Sequence, residues 1–226
     1  MANYDASTPR RCLPVFFLLA PEYSEKDAQI QRAIVKEIMS RLCDNGDFVA
    51  KYAFLKIGHS TAAQPESLSD TIPSIQRTPS IDIEHAFVQL NQALSRKAML
   101  TNVNGHHLPV IVYVGTCNQD ISKELQLLKD NKWFQRSTRF AVCYEERSIQ
   151  HLLPFSKSPE ACFCVGDEES MIKVVGVIIN CCRPVCFTGS MLNSPDNSFI
   201  RVDPVKEDNT DGSPDDDDSG WSDDEW

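Results

Sequence analysis

The residues best equipped for covalent chemistry are Cys117 and the histidines His59, His85, His106 and His107. A cysteine nucleophile needs a base within hydrogen-bond reach and donors for the developing oxyanion. Cys117 follows the apolar run "LPVIVYV" (108–114), so it stands just beyond the end of a strand, where a nucleophile would be displayed. His106 and His107 precede that run and fall at the strand's opposite end. His85 lies inside a helical stretch, and only His59, after the second strand, can share a rim with Cys117. Gly115 is the one glycine near enough to shape an oxyanion pocket. The expectation is that Cys117 is an ordinary solvent-exposed loop thiol and that the chain has no catalytic residues. The alternative is a cysteine-dependent enzyme using Cys117.

Nine cysteines occur, an odd number, with no C-x-x-C pair. Cys162 and Cys164 alternate along a strand, and Cys181, Cys182 and Cys186 close an apolar helix. They read as buried thiols acting as small hydrophobes in a reducing cytosol. A metal site built from Cys162, Cys164 and Cys186 is the competing reading. No G-x-G-x-x-G or G-x-x-x-x-G-K-[ST] is present, so dinucleotide and P-loop readings have no support and no cofactor is expected.

The net charge of −10 is segregated. Residues 202–226 hold eleven acids against one base, and residues 1–201 hold 21 of each. The last stretch, "DGSPDDDDSGWSDDEW", sets Trp221 and Trp226 among Asp215, Asp216, Asp217, Asp218, Asp223, Asp224 and Glu225. Carboxylates would steer this segment to a basic surface, and tryptophan supplies large anchoring area. Those nine residues are the expected partner-binding set, directed at a protein. Direct nucleic-acid binding is disfavoured, because the body is neutral and the tail repels phosphate.

These residues are positioned by alternating elements. Residues 1–9 form a polar leader. Residues 12–20 read as a buried strand, 25–43 as an amphipathic helix capped by Ser24, and 47–58 as a second strand. A polar connection over 59–79 has room for a short edge strand at 71–75. Then come helix 81–100, strand 108–114, helix 120–131, strand 139–144, helix 148–155, strand 161–165 and helix 168–182. Strands alternating with helices imply right-handed crossovers between parallel strands. The fold class is therefore α/β: a doubly wound, mostly parallel sheet of five or six strands with helices on both faces, spanning 10–192. Residues 193–226 are expected to be a disordered acidic tail. No apolar run has the roughly 20 residues a membrane helix needs, and the location expected is cytoplasmic.

Three stretches carry a resemblance: "RRCLPVFFLLA" (10–20), "QRTPSIDIEHAFVQLNQAL" (76–94) and "HHLPVIVYVGTCNQD" (106–120). In order and spacing they resemble the von Willebrand factor A (vWA) family, and within it the TerY-like bacterial branch associated with tellurium-resistance operons. The likeness covers about residues 10–182. It implies a scaffold for protein interaction in a stress-response or phage-defence complex, whose partner is an operon-encoded kinase, phosphatase or ATPase. Members of the family hold a divalent cation at a metal-ion-dependent adhesion site, with acidic and hydroxyl ligands after the first and fourth strands and before a crossover helix. The matching positions here are Ala20, Glu22 and Ser24, then Thr78, then Gly115 or Thr116. Mg²⁺ wants six oxygen ligands with carboxylate charge among them. The resemblance therefore implies a degenerate site and metal-independent behaviour.

Overall fold

The computed structural model describes residues 11–43, 48–57, 82–95 and 107–182. The leader, the edge strand at 71–75, His59, Thr78, His106, Cys186 and the acidic tail lie outside them.

Five parallel strands form one sheet in the order β2-β1-β3-β4-β5. They are β1 (Arg11–Leu19), β2 (Phe48–Lys56), β3 (Val110–Val114), β4 (Thr138–Cys143) and β5 (Cys162–Cys164). β1 and β3 are buried almost throughout, as central strands covered on both faces must be. Register pairs Phe17 with Phe54 on one side and with Val112 on the other, and Val112 with Phe140.

Alternate side chains along each strand feed two separate cores. Phe17, Tyr52, Val112 and Phe140 pack with α1 (Glu25–Cys43) and the C-terminal helix, Glu168–Cys182. Phe16, Leu18, Ile111, Tyr113 and Ala141 pack on the other face with α2 (Ile83–Ala93) and helices from the 121–156 region. The doubly wound α/β architecture expected from the alternation is what the chain adopts. Among the described residues no helix is long and apolar enough to cross a membrane.

Two expected elements are shorter or broken. α2 begins at Ile83 because the Asp82 carboxylate caps it, accepting from the His85 N–H at 2.9 Å. Residues 96–100, expected as its last turn, lie outside the described residues. The helix expected over 120–131 is instead one turn, α3 (Ser122–Leu125), then a 3₁₀ turn, then α4 (Lys132–Arg136). Asn131 causes the break. Its side-chain carbonyl accepts from the N–H groups of Trp133 and Phe134, which makes it an N-cap, and its amide donates to Asn91 on α2 at 2.7 Å. The chain then continues through α5 (Arg147–Ser156) and ends its described part in α6 (Glu168–Cys182), whose bounds agree with the expectation from sequence.

Candidate functional site

In an open α/β sheet of this winding, ligands bind at the carboxyl ends of the strands, at the point where strand order reverses. Here that point lies between β1 and β3, so Ala20 and Gly115 flank it. The Ala20 N–H continues the ladder onto the Val114 carbonyl at 2.9 Å, and the Gly115 N–H bonds the Val142 carbonyl at 2.8 Å. Gly115 adopts φ +128°, a conformation that side chains resist. A Cβ on Gly115 would stand 2.5 Å from the Ala20 Cβ. The crevice is thus shut by direct packing of two residues without functional side chains.

Gln31 seals it. This α1 residue is buried and its Nε2 donates to the carbonyls of Ala20 (3.0 Å) and Val114 (2.9 Å). Both amide protons are spent on strand-end carbonyls. Gln31 was not singled out in the reading of the sequence, which gave 25–43 as an amphipathic helix. The observed face is Ala28, Gln31, Ile34, Val35, Ile38, Met39 and Leu42, and spacings of three and four from Ala28 do reach Gln31.

The remaining expected positions surround this plug. Ser24 is the N-cap of α1: its hydroxyl accepts from the Asp27 N–H at 3.1 Å and its carbonyl from the Ala28 N–H. Glu22 is 7% exposed and lies, with Asp27, near the Tyr144 hydroxyl, which burial above all holds well above tyrosine's ordinary range. Thr116 is buried beside Gly115, and its carbonyl accepts from the Tyr113 hydroxyl. This donor set does not fit an octahedral divalent cation. The positions that the resemblance matches to acidic ligands, Ala20 and Gly115 or Thr116, carry no carboxylate, no side chain can be added at Gly115 without displacing Ala20, and the adjacent carbonyls accept from Gln31. Among the described residues no three His, Cys, Asp or Glu side chains converge to hold a metal.

Cys117 differs from the expectation of an exposed loop thiol. It is 1% exposed, its Sγ lies 3.3 Å from the Gln119 carbonyl, and its N–H donates to Ser148 Oγ at 3.1 Å. Burial pushes its thiol pKa up, away from an activated thiolate. The loop folds inward because Ser148, in the first turn of α5, supplies an acceptor for its backbone. His85 pairs along α2 with Gln89, Nε2 to Nε2, at 3.0 Å. His151, on α5, was missed by the sequence reading; hydrogen bonds from Ser122 hold the Asp120 carboxyl below its ordinary range, with a lesser contribution from His151. Cys12, Cys143, Cys162 and Cys182 are buried, and burial raises Cys162 to about 12, whereas Cys43 and Cys181 are exposed, so the expectation of a buried thiol fails for Cys181 at the end of α6.

No family model matches the chain, and no curated protein matches it. Its fold is similar to solved structures. Proximal thread matrix protein 1 from the mussel byssus aligns with TM-score 0.54 at 10% identity, over 75% of this chain and 48% of that one. The same mussel protein with a zinc-occupied MIDAS motif (the family's metal-ion-dependent adhesion site) aligns with TM-score 0.50 at 14% identity, over 75% and 46%. The pilus adhesin SpaC from Lactobacillus rhamnosus GG, in its open conformation, gives 0.50 at 8% identity, over 76% and 30%. The fold is vWA-like. The chain spans less than half the length of these proteins, so the likeness speaks for the domain alone. In this sheet Ala20, Gly115 and Gln31 fill the crevice between β1 and β3.

Proposed function

We propose that the chain is a non-catalytic protein-interaction adaptor, a vWA-like domain whose metal site has been lost and which binds partners without a cation. The observation that carries this reading is the closed crevice: the Ala20–Gly115 packing and the Gln31 amide bonded across it. The buried, unactivated Cys117, with no histidine bonded to it among the described residues, gives the enzyme alternative no support. The resemblance to the TerY-like branch motivates a bacterial, cytoplasmic setting in a stress-response or phage-defence complex, with a kinase, phosphatase or ATPase as partner. In this reading the acidic segment around Trp221 and Trp226 docks on a basic partner surface.

The test is affinity capture from the native host with the full chain and with W221A/W226A. The double substitution should weaken partner binding by on the order of 2 kcal/mol, the scale of an interface hot spot. Equal capture by both chains would move the binding face to the strand-end loops around Glu22, Thr78 and Thr116.

A further inference from the structure

At the opposite end of the sheet from the closed crevice, the start of β4 carries a buried cation. Arg139 is 7% exposed, and its Nε is enclosed without a hydrogen-bond acceptor. Its guanidinium lies over the Phe134 ring at 4.1 Å, with Phe155 further off at 6.0 Å. An aromatic face offsets only part of the cost of burying a charge, and no carboxylate completes the balance. Burial alone accounts for the fall of its pKa to about 10, which still leaves it charged at neutral pH.

A second cation is held beside it. Lys157 ends α5 in the left-handed conformation, φ 69°, where glycine is the usual occupant. Its ammonium donates to the Gln135 carbonyl, and its pKa is lowered first by burial and then by the nearby Arg139. Gln135 also lines an open depression with Lys129, Lys132 and Arg136, and with one acid, Asp130. Among the described residues Lys129, Lys132, Arg136 and Lys157 make no ion pair, whereas Arg41, Arg147 and Lys173 each pair with a nearby glutamate. Four exposed bases, three lining the depression and Lys157 bonded to its Gln135, stand out on a body that carries equal numbers of acids and bases.

We propose that the surface formed by Lys129, Lys132, Arg136 and Lys157, with the buried charge of Arg139 behind it, is a docking site for the aspartate-rich segment 211–226 of a second copy of this chain. Charge complementarity selects the occupant: the segment concentrates acids and the patch concentrates unpaired bases in one sequence. The planar guanidinium fork suits carboxylates, and the lysines supply steering charge around it. Two copies joined this way make a head-to-tail contact, which can propagate beyond a dimer. The inference rests on the proposed role of the acidic segment and names a receptor for it.

Sedimentation velocity of the full chain over a concentration series tests this. Association should strengthen with concentration and weaken as added salt shortens the screening length to roughly 10 Å or less. K132E/R136E, at two exposed positions, should weaken association roughly tenfold or more, since two attractions become repulsions. Reversing the segment instead, with D216K/D217K, should weaken it similarly, and combining all four substitutions should restore it. A chain that stays monomeric at every concentration overturns the proposal, as does association that K132E/R136E leaves unchanged. If monomers persist while partner capture still depends on Trp221 and Trp226, the docking reading survives and the self-association falls.

Discussion

Gly115→Ala is expected to destabilise the domain by about 3 kcal/mol, combining the cost of a side chain at a conformation it resists with overpacking against a fixed neighbour. The new methyl would begin 2.5 Å from the Ala20 Cβ and 3.3 Å from Gln31 Nε2. Neither neighbour can yield easily. Ala20 is tied to β3 through its N–H, and Gln31 is held by two carbonyls. The measurement is the urea midpoint, with an unchanged slope showing that the unfolded state is the same. Gly176→Ala is the internal control. This glycine sits in α6, a Cβ there meets nothing within 4 Å, and the substitution should be neutral or stabilise by up to about 1 kcal/mol. Equal midpoints for Gly115→Ala and the wild type would mean that the crevice is not closed as described.

Val112→Asp should be more damaging still, costing several kcal/mol and unfolding a domain of ordinary marginal stability. Val112 is fully buried in the central strand β3, between Phe17 and Phe140 in register. A carboxylate there finds no cation, so it either ionises in an apolar core or takes up a proton. Loss of the circular-dichroism melting transition at room temperature is the expected readout. A variant melting like the wild type would remove β3 from the centre of the sheet.

The elements most legible in the sequence were those in which local and tertiary signals agree. The continuous apolar runs of β1 and β3 could only be central strands, and the Ser24 cap marks the entry to α1. α6 has an acidic first turn and an apolar body that fix its span. What escaped was decided by contacts distant in sequence. Asn131 breaks a helix because Asn91 lies against it, 40 residues away. Cys117 is buried because Ser148, 31 residues on, accepts its N–H. Gln31 looks like a surface glutamine until α1 lies over the ends of β1 and β3, 83 residues apart from Val114. Ala20 and Gly115 were named through the resemblance to the vWA family, and the structure places them side by side at the ends of β1 and β3. The closure there depends on a φ angle and an interatomic distance that no residue pattern specifies.

The central claim is that this crevice takes no divalent cation, and thermal melting with chelator or with millimolar Mg²⁺ or Mn²⁺ addresses it directly. A site that prefers the folded state must raise the melting temperature by mass action. Superimposable transitions are expected with chelator, Mg²⁺ and Mn²⁺. A melting temperature that climbs with either cation, and falls back when the chelator is restored, would contradict it.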